Sequence, residues 1–348
     1  MNIDETVFLS TITALLVLLL LAVRRSGMDY RWKLMLAILL TFEGISISLL
    51  ANKVPWYFGL LITIVAGGYL ATLLQERPEG LTVHSIGSHL MERLTNDGRL
   101  TRWFPVIGLT IAVADIVANA LVFDGRFGGY DWTVLAAAAT WVGYGYIPPA
   151  YSHERDFAFL FINLLVMVLV VPLVGYNIIT GGTDEGTTNL GEHGLVEILL
   201  TNPLKNILSL MGYEALSVGN TLHFRLENGN LVYVSIAQGC SGIYSVAVFV
   251  AAFVAFVATE YNRLDRNVAA LLLLGILTAY FANLFRMAFI VIVGHYHGME
   301  ALEWAHANTG WLIFMFWVGI FWSVIFRFLV PLPTGVRSKR REPENGRI

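Results

Sequence analysis

Long apolar runs separated by short polar breaks dominate the chain. A helix needs about 20 mostly apolar residues to cross a bilayer. Nine runs qualify: Val7–Val23, Trp32–Leu50, Trp56–Leu74, Trp103–Phe123, Trp132–Pro148, Phe157–Tyr176, Cys240–Thr259, Val268–Val293 and Gly310–Val330. Several open on Trp, as the aromatic belt at a membrane interface predicts. Between the third and fourth runs lies a linker near 84–102. There Ile86, Leu90, Met91 and Leu94 recur at helical spacing, the pattern of an amphipathic helix on a membrane surface. The longest polar stretch is 181–238. It opens as a loop and continues into Leu195–Met211, a short interfacial helix interrupted at Asn202-Pro203. Two alternating runs, Thr221–Leu226 and Leu231–Ile236, flank Glu227-Asn228-Gly229-Asn230 and predict a β-hairpin on an Asn-Gly turn.

Composition agrees. Hydrophobic residues are 56% of the chain and charged ones 14%, well below the roughly 25% charge of soluble domains. The fold class is therefore an all-α polytopic membrane protein of about nine transmembrane helices, with a small extracytoplasmic hairpin. Four parts are expected: helices one to six over 1–180, the extracytoplasmic segment 181–238, helices seven to nine over 239–332, and a basic tail 333–348. The first run is not a signal peptide: Asp4 and Glu5 precede it and Arg24-Arg25 follow it.

Lys and Arg set the orientation. With the N-terminus outside, the inside segments hold Arg24, Arg25, Arg31, Lys33, Arg77, Arg93, Arg99, Arg102, Arg155, Arg263, Arg266, Arg337, Lys339, Arg340, Arg341 and Arg347. The outside segments hold only Lys53, Arg126, Lys205 and Arg225. This is the positive-inside bias of an N-out, C-in chain. A net charge of -3 gives no reason to expect a nucleic-acid partner.

The candidate chemistry lies on the last three runs. Cys240 is the only cysteine, in Gln238-Gly239-Cys240-Ser241-Gly242, where a polar segment becomes a helix. A helix N-terminus stabilises thiolate over thiol, through its unpaired N–H groups and its dipole. The alternative is an inert buried thiol. Arg286 is expected near the outer end of helix eight, with Asn283 one turn away on the same face to orient it. Its guanidinium either snorkels to the interface or faces the bundle, where it can stabilise a thiolate or an oxyanion. The loop between helices eight and nine is expected to carry His295, His297 and His306. His306 sits at the start of helix nine and is the first candidate acid/base; His295 and His297 are the fallbacks. Each could equally be a polar residue at the interface. A His-x-His pair suggests metal, but a structural zinc site wants four ligands, so no metal and no cofactor is expected. Nucleophile, charge stabiliser and base on three successive helices at one face form the set that cysteine acyl transfer requires.

These motifs resemble the exosortase/archaeosortase family of membrane-embedded cysteine transpeptidases. The similar parts are Gly239-Cys240-Ser241-Gly242 opening a helix, Asn283-x-x-Arg286 on the next, and His306 followed by Gly310 on the last. The likeness covers roughly 232–330. It implies a substrate class: secreted proteins with a C-terminal sorting signal made of a short motif, a transmembrane helix and a basic tail. It further implies Cys240 as nucleophile, Arg286 as stabiliser and His306 as acid/base, with Ser241 and Asn283 in support. An amine, in archaeal systems that of a lipid, would resolve the thioester. The enzyme would sit in the cell membrane with its site at the extracytoplasmic face. Outside carboxylates Asp184, Glu185, Glu192, Glu300 and Glu303 could orient His306 or bind the amine. A rival class, a proton-coupled or solute transporter, rests on Glu43 and on Asp115 with Asn119 inside apolar runs. Against it, no inverted repeat is visible.

Overall fold

The computed structural model describes residues 14, 16–25, 30–50, 56–76, 85–122, 128–172, 196–236 and 242–322. It is mostly helical. Residues 16–25 form α1, followed by α2 (Tyr30–Leu50), α3 (Trp56–Gln75), α4 (Ile86–Thr95), α5 (Phe104–Val122), α6 (Gly129–Gly143), α7 (Ser152–Leu165), α8 (Asn202–Leu210), strands β1 (Ala215–Val218), β2 (Thr221–Arg225) and β3 (Leu231–Ser235), then α9 (Ile243–Glu260) and α10 (Arg266–Ile320). Among the described residues three helices are long and apolar enough to cross a membrane: Tyr57–Gln75, Thr101–Leu121 and Arg266–Ala307. Lys33–Phe42 and Tyr244–Glu260 are shorter apolar helices.

Small residues let these helices approach closely, as they do where lipid removes the hydrophobic drive for association. A Cβ on Gly44 of α2 would meet Thr63 Oγ1 of α3 at 2.6 Å, and one on Gly108 of α5 would meet the Ala138 carbonyl of α6 at 2.6 Å. Gly275 of α10 leaves room for the ring of Phe249. That ring lies in an aromatic core with Phe253, Trp317, Phe321 and Trp322.

Three expectations change. First, the loop expected between helices eight and nine is absent. α10 stays helical up to and beyond Gly298, which alone leaves helical geometry (φ 85, ψ −176). A single residue of this conformation, open essentially only to glycine, turns the chain back on itself. Gly294 faces Leu302, Arg286 faces Gly310 and Gly275 faces Phe321. Equal steps along both arms are the register of an antiparallel helical hairpin. His295, His297 and His306 are therefore helical residues. Second, the β-hairpin has a third strand: β1 pairs antiparallel with β2, giving the order β1-β2-β3. Third, Asn202-Pro203 does not end the helix. The chain is helical on both sides, but a π-helical turn, Glu197–Thr201, runs into it, and the Leu199 carbonyl, four residues before Pro203 and so without its helical N–H, accepts from the Tyr280 hydroxyl at 2.7 Å.

The amphipathic linker is a helix, but it is held by the bundle. Ser85 and Ser88 cap α4 reciprocally, at 3.1 and 2.9 Å. The Ile86 N–H donates to the Tyr261 carbonyl at 2.9 Å. Gly87, Met91 and Thr95 are buried, while Leu90 and Leu94 remain exposed. Close by, at the same end of α9, His153 Nε2 lies 2.8 Å from Glu260 Oε1, with both side chains almost fully buried. Tyr144 donates to Asp156 at 2.7 Å, and the Arg155 guanidinium covers the Tyr144 ring at 4.0 Å. This polar cluster ties α6, α7 and α9 together at the end opposite Gly242.

Candidate active site

The site is built where α9 begins and where the two arms of α10 run side by side. Gly242 caps the N-terminus of α9 in the left-handed region (φ 77, ψ 1), which a residue with a Cβ reaches only with strain. Space demands glycine there too. A Cβ on Gly242 would lie 2.7 Å from Asn283 Cγ and 3.0 Å from Asn283 Nδ2. Asn283 is buried, so its amide sits directly against the first turn of α9.

Arg286 follows one turn further along the first arm of α10. Its guanidinium rests on the backbone of Gly310 in the second arm: a Cβ there would lie 2.8 Å from both Cζ and Nη2 and 2.9 Å from Nε. Arg286 is half-buried, and the glycine facing it shows that the guanidinium points to the partner helix. This is the bundle-facing alternative, with the planar head held flat against a helix that offers it space. Thr309, buried beside Gly310, returns its hydroxyl to the Ala305 carbonyl at 2.7 Å.

His306 is half-buried on the second arm. It lies one turn from Gly310 and one turn from Leu302, and those two residues face Arg286 and Gly294. Helical spacing puts His306 on the same face. His295 stands apart. Nine residues of helix place it about 13 Å along the axis from Arg286. Its Nδ1–H donates to the Arg225 carbonyl at 2.6 Å, and its own carbonyl accepts from the Glu227 N–H at 2.9 Å. It fastens the β2–β3 turn to α10. Tyr213 and Tyr296 pack edge-on against its ring. Tyr213 donates to the Tyr296 hydroxyl at 3.3 Å, and that bond raises the Tyr213 pKa above its ordinary value. His297, Glu300 and Glu303 are exposed on either side of the break at Gly298.

The sheet sits on this same end of α10. Leu222, Phe224 and Ile236 share one core with Leu284, Met287, Ala288 and Ala305. The first turn of α9 is also tied sideways, since the Tyr244 and Tyr130 hydroxyls are 2.6 Å apart. Neither this tyrosine pair nor Gly310 as a seat for Arg286 is legible in the sequence. The signal available was only that Tyr244 and Gly310 each stand one turn from a motif residue.

Cys240, Ser241, Asp184, Glu185 and Glu192 lie outside the described residues, as do residues 1–13 and the tail 323–348; nothing is described of the Glu43 side chain. Asp115 and Asn119 lie on α5, which packs against α6, while Arg286 stands between the arms of α10. Among the described residues no three His, Cys, Asp or Glu side chains cluster as a metal-ligand set.

In comparisons with known proteins, the family model for transmembrane exosortases (Exosortase_EpsH) matches residues 85–323, more than half of the chain. No match was found among curated proteins or among solved structures.

Proposed function

The chain belongs to the transmembrane exosortase family, and we propose that it is a cysteine transpeptidase that cleaves secreted proteins at a C-terminal sorting signal. The observation that carries this reading is the meeting of three motif-bearing segments. Asn283 seats on Gly242, and three residues on, Arg286 seats on Gly310. Two residues of chain hold Cys240 within about 7 Å of Gly242. This closeness along the chain supports reading Cys240 as the nucleophile that works beside Asn283 and Arg286.

The Cys240 thiolate attacks the carbonyl carbon of the scissile peptide bond. Negative charge moves to the carbonyl oxygen, where the Arg286 guanidinium stabilises it. Collapse of the intermediate breaks the C–N bond. His306 gives its proton to the leaving nitrogen, and the C-terminal helix departs. The acyl group remains on sulfur as a thioester. An incoming amine, that of a lipid under this reading, loses a proton to His306, attacks the thioester and releases the thiolate. Asn283 positions the α9 N-terminus against the Arg286 turn. The Lys and Arg bias supports an extracytoplasmic site in the cell membrane, under a nine-span, N-out and C-in topology. The substrate's basic tail stays inside by the same rule.

The test is co-expression with a secreted protein of the same genome that ends in an apolar helix and an Arg cluster. Wild type is expected to remove the helix. Cys240→Ala is expected to leave the substrate full length, and wild-type processing by that variant would overturn the assignment of the nucleophile.

A further inference from the structure

The small sheet has one covered edge and one open edge. β1 is covered by α8: Ser217 Oγ donates to Asn202 Oδ1 at 2.8 Å, and Leu204 and Leu208 are buried in the same core as Ala215. β3 forms the other edge, and among the described residues no further strand pairs with it. The phase of its backbone follows from the bonds at its two ends. Leu226 N–H donates to the Asn230 carbonyl and Ile236 N–H to the Asn220 carbonyl, each at 2.8 Å. In an antiparallel ladder such bonded pairs alternate, so Val232 and Val234 bond toward β2. Leu231, Tyr233 and Ser235 turn their N–H and C=O groups outward.

An open edge of this kind templates pairing with another chain, and proteins ordinarily blunt it with Lys, Pro or a bulge. β3 reads Leu231-Val232-Tyr233-Val234-Ser235, without a charge and without proline. Leu231 and Tyr233 are 50% and 61% exposed along it. The strand also leads into the site. Ile236 is buried in the core that holds Leu284 and Met287, on either side of Arg286, and Cys240 follows four residues later.

We propose that the open edge of β3 recognises the substrate, pairing with an extended, uncharged segment on the N-terminal side of the scissile bond as a fourth strand. This rests on the reading of Cys240 as the nucleophile. β-Strand addition supplies affinity from main-chain hydrogen bonds and specificity from alternate side chains. The direction of pairing is parallel: β3 and the substrate both run from the aqueous side toward a helix in the membrane. One substrate residue then donates to the Leu231 carbonyl and accepts from the Tyr233 N–H. The residue two further on donates to the Tyr233 carbonyl and accepts from the Ser235 N–H. The residue between them lies beside the exposed Tyr233 ring, which favours an apolar side chain there.

The experiment uses the full-length protein in nanodiscs and a synthetic version of the substrate segment cleaved in the co-expression test. Single backbone N-methyl groups are scanned along that segment. Two positions separated by one residue are expected to lose about three- to tenfold in kcat/KM each, with the intervening position unaffected. On the protein side, Tyr233→Pro removes one outward N–H while sparing the ladder to β2. It is expected to raise KM by a similar factor and to leave Tm and the rate of Cys240 alkylation by iodoacetamide unchanged. If Tyr233→Pro lowers Tm, the scan on the wild-type protein decides alone. A flat scan overturns the proposal. So does a flat scan with a concentration-dependent dimer that Tyr233→Pro dissociates, which would assign β3 to a second copy of the chain. Inactive Cys240→Ala with a flat scan sinks only the strand; active Cys240→Ala sinks the enzymatic reading itself.

Discussion

Glycine sets the chemistry of single residues here. Gly310 is where the Arg286 guanidinium lies, and the atoms a new Cβ would strike are the far end of that flexible side chain. Gly310→Ala is therefore expected to cost little stability, since alanine is favoured over glycine in a helix by up to about 1 kcal/mol. It should nonetheless displace the guanidinium. A misplacement of about 1 Å at a reacting centre can cost about a hundredfold, so processing should fall roughly ten- to a hundredfold at unchanged Tm. Arg286→Lys should fall about a hundredfold, because a point charge replaces a planar fork. Substrate turnover beside a melting curve checks both; full turnover in either variant would remove Arg286 from the reaction. Arg286 stands out in the sequence because charge is costly in an apolar run, and His306 because it sits where the last run begins. Their partners do not, because a glycine carries no chemical signature of what will lie against it.

At the scale of elements, the hairpin of α10 depends on one residue. Gly298 adopts φ 85 and ψ −176 with open space around its Cα, so the restriction there is backbone strain and not crowding. Gly298→Ala is expected to destabilise the protein by about 1–3 kcal/mol and to reduce processing by unfastening the arms that hold Arg286 against Gly310. Unfolding in detergent measures the first and substrate turnover the second; an unchanged melting transition would show that the turn tolerates a side chain. The β2–β3 turn was readable from Asn228-Gly229, a local rule. β1 was not, because four residues with only Leu216 and Val218 exposed become a strand by pairing with β2. The loop expected between Val293 and Gly310 rests on the polar residues there. The structure keeps them helical, since helix satisfies the backbone groups and one glycine suffices for reversal.

Across the whole molecule, the charge bias makes a topological prediction. In a Cys240→Ala background, a thiol at the exposed His297 position should react with a membrane-impermeant maleimide on intact cells. One at Leu264, 75% exposed at the opposite end of α9, should react only after permeabilisation. The reverse pattern would invert the orientation. Sequence alone determined the membrane character, the succession of apolar runs, the β2–β3 hairpin and the order of the three motifs. Each is written in local hydrophobicity, charge or turn chemistry. Tertiary structure decided which faces meet: Asn283 on Gly242, Arg286 on Gly310, α4 under Tyr261, and His153 against Glu260. The physical reason is that a membrane helix is apolar toward lipid and toward its neighbours alike. Its hydrophobic pattern cannot say which side is inside, and only close packing at small residues resolves the choice.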